Sequence, residues 1–247
     1  MHETRQSIIA KLRESVCKVI CYVHGEQVGV GTGFFVADDG ILLTCNHVIS
    51  YFELDEHGNI VPRYFPEISV QTPRGVFPAK IIHDKSSTHP LFEDYAVLKT
   101  DIKVAAPFHL GDYDAVEPGD DILILGFPFG FKNVCATSGM VSAKHRSPCP
   151  FNNLINLDML RIDGSVNKGN SGGPLIDIKT SSVVGIVSLR IGSIEKEIEQ
   201  LKFRDSFPRE LLEILELINK YLNVGIGEAI SISYAFNELK QLGIKQI

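Results

Sequence analysis

From Val16 to Leu189 the chain is cut into short apolar runs of four to nine residues by clusters of Gly, Pro, Asp and Asn. The runs are Val16–Val23, Gly29–Ala37, Ile41–His47, Ile68–Gln71, Ala79–His83, Ala96–Thr100, Asp121–Gly126 and Val183–Leu189. Rich in Val, Ile and Phe and closed by turn formers, they read as strands, and such spacing predicts an all-β barrel or sandwich. No strand–helix–strand alternation occurs, which disfavours a doubly wound parallel sheet. With 247 residues, 44% hydrophobic and 22% charged, the chain can bury a full core, so disorder and a disulfide-stapled miniprotein are excluded.

The ends differ from the middle. Residues 3–14 read as a short helix. After Gly192 the apolar spacing turns helical: Ile194, Ile198 and Leu201 in 193–203, then Phe207, Leu211, Ile214, Leu215, Ile218 and Leu222 on one stripe, with Ser206 as N-cap and Pro208 in the first turn. Gly225–Ser233 returns to strand character and Tyr234–Leu242 reads as a closing helix. A helical insert at about 193–222 therefore interrupts the last β-hairpin, inside a single domain that runs 1–247.

A net charge of −6 disfavours a nucleic-acid binder or a basic membrane-surface module, and no stretch approaches the ~20 apolar residues of a membrane helix. The N-terminus lacks an uninterrupted apolar leader segment. Five cysteines, Cys17, Cys21, Cys45, Cys135 and Cys149, cannot all pair. These features predict a cytoplasmic chain. Cys17 and Cys21 lie in one strand, roughly 13 Å apart, too far to share an ion. No cofactor and no metal are expected.

Three segments carry chemistry. Gly169-Asn170-Ser171-Gly172-Gly173 encloses a serine in glycines before an apolar strand, which suits a tight turn with an exposed Oγ. Ile41–His47 is a strand ending in His, and Asp94 opens the strand Ala96–Thr100. Singly, each has a plain alternative: a turn serine, a structural histidine, a capping aspartate. Together they run His, Asp, Ser along β-framed segments, and in that order they resemble the triad of the trypsin/chymotrypsin serine proteases.

The resemblance is closest to the HtrA-like branch. It extends through Gly29–Val36, Leu125-Gly126-Phe127-Pro128-Phe129-Gly130, Thr137–Ser142 and Gly225–Ile230. The family implies two six-stranded antiparallel β-barrels, here about 16–105 and about 115–242, with the site between them. It implies Ser171 as nucleophile, His47 as general base, Asp94 as the group that orients His47, and the N–H groups of Gly169 and Ser171 as oxyanion hole. It also puts Ser165 at the base of the primary pocket and Ser188, Leu189, Arg190, Gly225 and Gly227 on its walls. With no carboxylate at Ser165, an apolar or small side chain is expected there rather than Lys or Arg.

Some features depart from the pattern. Asn170 replaces the Asp that trypsins pair with a new N-terminus, and Lys168 stands where HtrA-like proteins commonly have Pro, which removes a stiffener from the oxyanion turn. The chain ends at Ile247 without a PDZ module, so PDZ-based peptide sensing is not expected. The resemblance implies a serine endopeptidase acting on protein or peptide substrates. The alternatives are a silent peptide-binding pseudoprotease and a regulatory subunit whose insert, 193–222, recruits a partner or a second copy. An α/β-hydrolase is rejected, since its triad runs in the opposite order.

Overall fold

Val16–Val23 (β1) alternates between two neighbours, and those pairings begin the first barrel. It runs antiparallel to β2 (Glu26–Phe35), Val16 facing Phe34, and to β6 (Glu67–Thr72), Val19 facing Val70. β3 (Ile41–Thr44), β8 (Ala96–Thr100) and β7 (Gly75–Ile81) complete a closed barrel in the order β1-β2-β3-β8-β7-β6. The computed structural model describes residues 4–54, 56, 60–82, 93–149, 152–190, 198, 201, 208–221 and 225–244.

β9 (Asp121–Gly126), β10 (Cys135–Cys149), β11 (Asn152–Asp163), β12 (Pro174–Asp177), β13 (Ser182–Arg190) and β14 (Ile226–Ser231) close the second barrel in the order β10-β11-β14-β13-β12-β9. The family resemblance implied this all-β architecture of two six-stranded antiparallel barrels, and closure removes the open strand edges that invite aggregation. A hairpin of β4 (Ser50–Leu54) and β5 (Ile60–Tyr64) leaves the first barrel just after the His47 segment.

One apolar core spans both barrels. Phe34, Leu42, Leu43, Val97 and Leu98 are fully buried with Leu125, Ile176 and Ile186 of the second barrel, and Phe34 packs edge-on against Phe108. A separate cluster around Ile122, Ile124, Leu160, Ile162 and Val187 fills the second barrel. Burying such side chains stabilises by about 1.5–3 kcal/mol each.

Helix α1 (Arg5–Leu12) is capped by Thr4, whose hydroxyl accepts from Ser7 N–H. It buries Ile8 and Leu12 in the shared core, and Arg5 reaches the second barrel through Asp121, 3.0 Å away. A second helix, α2 (Asn46–Ile49), follows β3 directly. The strand expected to run through His47 therefore ends at Thr44, and His47 sits on a helical turn that lifts its ring out of the sheet.

Helix α3 (Arg209–Tyr221) falls where the helical stripe was read. Phe207, Ser206 and Leu222 lie outside the described residues, as do most of 193–203, of which Ile198 and Leu201 are helical. The stripe is not packed down: Leu211, Ile214, Leu217 and Ile218 are exposed, while Leu215 is half-buried and Asn219 is buried. Helix α4 (Ile232–Gln241) closes the fold with Ile232, Ala235 and Leu239 in the core.

Candidate active site

The segment before α2 adopts extended backbone at Cys45 and then turns, which presents His47 at 34% side-chain exposure while Cys45 and Asn46 stay buried. Asp94 lies two residues before β8 in the left-handed region, φ 50°, a conformation that Asp tolerates better than most residues. Its Oδ1 accepts from the His47 backbone N–H at 2.9 Å, and its carboxylate holds His47 Nδ1 at 2.9 Å. Ser188 Oγ donates to Asp94 Oδ2 at 2.5 Å. Burial alone would raise the Asp94 pKa, but the neighbouring His47 charge and the hydrogen bonds from His47 and Ser188 hold it below the usual carboxylate range.

Ser171 occupies the turn between Lys168 and Pro174. Its Oγ donates to the Ser188 carbonyl at 3.2 Å, so one residue, Ser188, contacts both Asp94 and the candidate nucleophile. Gly172 has φ +85°, and a Cβ there would run into the Thr32 carbonyl and the backbone of Cys45. Glycine is required because the serine turn lies directly against the histidine-bearing segment. The Val187 carbonyl accepts from Gly172 N–H at 2.7 Å and from Cys45 Sγ at 3.2 Å, tying those two segments to β13.

Thr32 of β2, which the sequence did not single out, clamps the same turn. Its N–H donates to the Ser171 carbonyl at 2.9 Å, and its Oγ1 donates to the Gly169 carbonyl at 2.6 Å while accepting from Phe127 N–H at 3.1 Å. Lys168 is tied in through its backbone. Its carbonyl accepts from Phe129 N–H at 2.6 Å, and Gly169, at φ +101°, leaves no room for a Cβ beside the Phe127 carbonyl. Within the turn Asn170 N–H donates to Asn167, Gly172 N–H to Val187 and Gly173 N–H to Asn170. Among the described residues the N–H groups of Gly169 and Ser171 have no acceptor. A turn tied at its carbonyls and open at two amides can receive a developing oxyanion.

The expected pocket residues are spread along the second barrel. Gly227 abuts Val166 so closely that a Cβ would overlap it, while Glu228, next along β14, points the other way to Arg161 Nη2 at 2.8 Å. Leu189 and Arg190 pair with Glu228 and Gly227 through the backbone, and their side chains lie outside the described residues. Ser188, expected on a wall, turns its hydroxyl to Asp94. Ser165 is exposed and shares a groove of about 420 Å³ with Gly225, Asp163 and Arg5, a groove that includes none of His47, Asp94 and Ser171. Asn170 is buried, and Arg5 at the start of α1 pairs with Asp121.

The trypsin-like peptidase domain model matches residues 31–186, well over half of the chain and all three site segments. The chain belongs to the trypsin-like peptidase family. Its HtrA-like character is shared by its relatives. It is 36% identical over 163 residues to a probable periplasmic serine endoprotease, DegP-like, of Pseudomonas putida, covering 66% of this chain and 30% of that protein. It is 30% identical over 164 residues to the protein of the same name in Rickettsia prowazekii, covering 65% and 28%. The chain thus spans less than a third of the length of these relatives. Its fold is that of the HtrA-type protease AlgW solved with a tripeptide, with a TM-score of 0.68 at 24% identity over 99% of this chain and 65% of that one.

These relatives overturn the expected cytoplasmic placement, since they are named periplasmic. The inference from unpaired cysteines failed for a physical reason. Cys17, Cys21 and Cys45 are buried, and burial pushes their thiol pKa values up, that of Cys21 to about 12. Protonated, enclosed thiols react slowly with oxidants, so their number says little about the compartment. Among the described residues, Cys45, His47 and Asp94 bring a thiol, an imidazole and a carboxylate within 4.8 Å of one another.

Proposed function

We propose that this chain is a serine endopeptidase that hydrolyses peptide bonds through an acyl-enzyme on Ser171. The observation that carries this reading is the pair of amides, Gly169 and Ser171, that have no acceptor among the described residues, on a turn whose Asn170, Gly172 and Gly173 amides are engaged. His47, held through Nδ1 by ionised Asp94, takes the Ser171 Oγ proton as that oxygen attacks the scissile carbonyl. The tetrahedral oxyanion is received by the two amides, each worth about 2.7–4 kcal/mol to the transition state. His47 returns the proton to the leaving amine, and water repeats the sequence to release the acid.

Val166 filling the space under Gly227, and the absence of a carboxylate at Ser165, support a preference for apolar or small side chains on the acyl side. The relatives' names support a periplasmic location and protein or peptide substrates. The exposed apolar face of α3 supports a regulatory contact or self-association through the insert. A fluorophosphonate probe tests the central claim. Wild type labels and cleaves peptides, while Ser171→Ala does neither. Labelling that persists in Ser171→Ala, or an unlabelled and inactive wild type, overturns it, the latter in favour of a peptide-binding pseudoprotease.

A further inference from the structure

Cys45 has no part in the proposed chemistry, yet its Sγ lies within 4.8 Å of ligand atoms of both His47 and Asp94. We propose that Cys45, His47 and Asp94 form an inhibitory site for a thiophilic divalent ion, zinc above all. The proposal rests on His47 being the base, and it concerns a regulatory ion, not a cofactor.

The donor set is the one zinc takes: thiolate, imidazole nitrogen and carboxylate, with a fourth position left for water. Zinc bonds of about 2.0–2.3 Å in a tetrahedron place donor atoms roughly 3.3–3.6 Å apart. His47 Nδ1 and Asp94 are already 2.9 Å apart, and no pair in the cluster exceeds 4.8 Å. Side-chain rotations of about an ångström therefore gather the three around one ion. Cys45 and Asp94 are buried, and Cys45 Sγ donates to the Val187 carbonyl, so the His47 ring, 34% exposed, is the side from which an ion enters. Entry requires that ring to move, which makes binding slow.

Coordination stops catalysis by tautomer control. In the working site Nδ1 carries the proton, donated to Asp94, and Nε2 keeps the lone pair that accepts from Ser171. When Nδ1 gives its lone pair to the ion, the proton resides on Nε2, and the base has nothing left to accept with. The Cys45 Sγ–H proton leaves to solvent, so one proton is released per ion bound. Thiolate and carboxylate together neutralise the 2+ charge, which removes the cost of an uncompensated ion in this dry position.

The experiment has two arms. In the first, peptidase activity is titrated with zinc chloride after long preincubation, each variant being compared with its own zinc-free rate. Wild type loses activity slowly and regains it with EDTA, and Cys45→Ala and Cys45→Ser need zinc concentrations higher by on the order of 10–100-fold. Identical titrations for wild type and both variants overturn the site, as does a wild type that zinc does not inhibit. In the second arm, cobalt(II) is added to Ser171→Ala, which needs no activity. A thiolate-to-cobalt charge-transfer band appears and is lost on adding Cys45→Ser to the same chain. Absence of that band in folded Ser171→Ala overturns the site even if the peptidase assignment stands. Its presence in a chain without peptidase activity keeps the site while the assignment falls.

Discussion

Ser188 and Asp94 are joined by a 2.5 Å hydrogen bond although 94 residues separate them, and the Ser188 carbonyl at the same time accepts from Ser171 Oγ. The carboxylate is thus held from the second barrel while it orients a histidine of the first. Ser188→Ala removes a bond to a buried charge, with a cost of about 1.5–3 kcal/mol. The expected result is a Tm drop of roughly 2–4 °C per kcal/mol in thermal unfolding and a lower kcat. An unchanged Tm would mean that the bond contributes nothing.

Asp94 also sets an acid dependence. Its carboxyl pKa is lower folded than unfolded, so it contributes stability above the ordinary carboxylate value, about 3.9, and that contribution is lost as pH falls through the depressed folded value. Tm measured against pH for wild type and Asp94→Asn should differ most above roughly pH 4 and converge below it. At neutral pH the same variant should lose about 10⁴-fold in kcat, because an amide no longer holds the working His47 tautomer.

Thr32 holds the turn of the proposed oxyanion hole through one hydroxyl that both donates to Gly169 and accepts from Phe127. Thr32→Val keeps the shape but leaves a buried carbonyl and a buried N–H without that partner, at a cost of about 1–3 kcal/mol. Steady-state kinetics should show kcat falling more than KM rises, since the turn acts on the transition state. Thr32→Ser should restore most of the loss. A loss of activity in Thr32→Ser that Thr32→Val does not share would assign the role to the methyl group instead.

The exposed face of α3 predicts a contact outside the barrels. Leu217→Glu with Ile218→Lys should leave stability within about 0.5 kcal/mol, because both side chains are at least half exposed. Sedimentation and peptidase assays across protein concentrations should then show weaker assembly or altered activity. If neither changes, the face has no role in association.

Much of the candidate site was legible because its signals are local. A serine between glycines, a histidine after an apolar strand and an aspartate before another each reflect what a few adjacent residues need in order to turn. The strands were legible for the same reason, with β1 and β8 found at the bounds read from their β-branched runs. The apolar run predicts a strand through His47, but the strand is Ile41–Thr44 and the helical turn begins two residues later.

What the sequence determined by itself was the all-β class, the segments that carry the candidate site residues and the helix that falls at Arg209–Tyr221. Only the tertiary structure decided that the Ser188 hydroxyl faces Asp94, that Thr32 grips the serine turn from 137 residues before Gly169, and that Cys45 Sγ comes within 4.8 Å of His47 and Asp94. It also decided that Leu211, Ile214, Leu217 and Ile218 of α3 stay exposed. Local periodicity records which side of an element is apolar, whereas these contacts depend on which distant strand closes each barrel, and that depends on the pairing of the whole sheet.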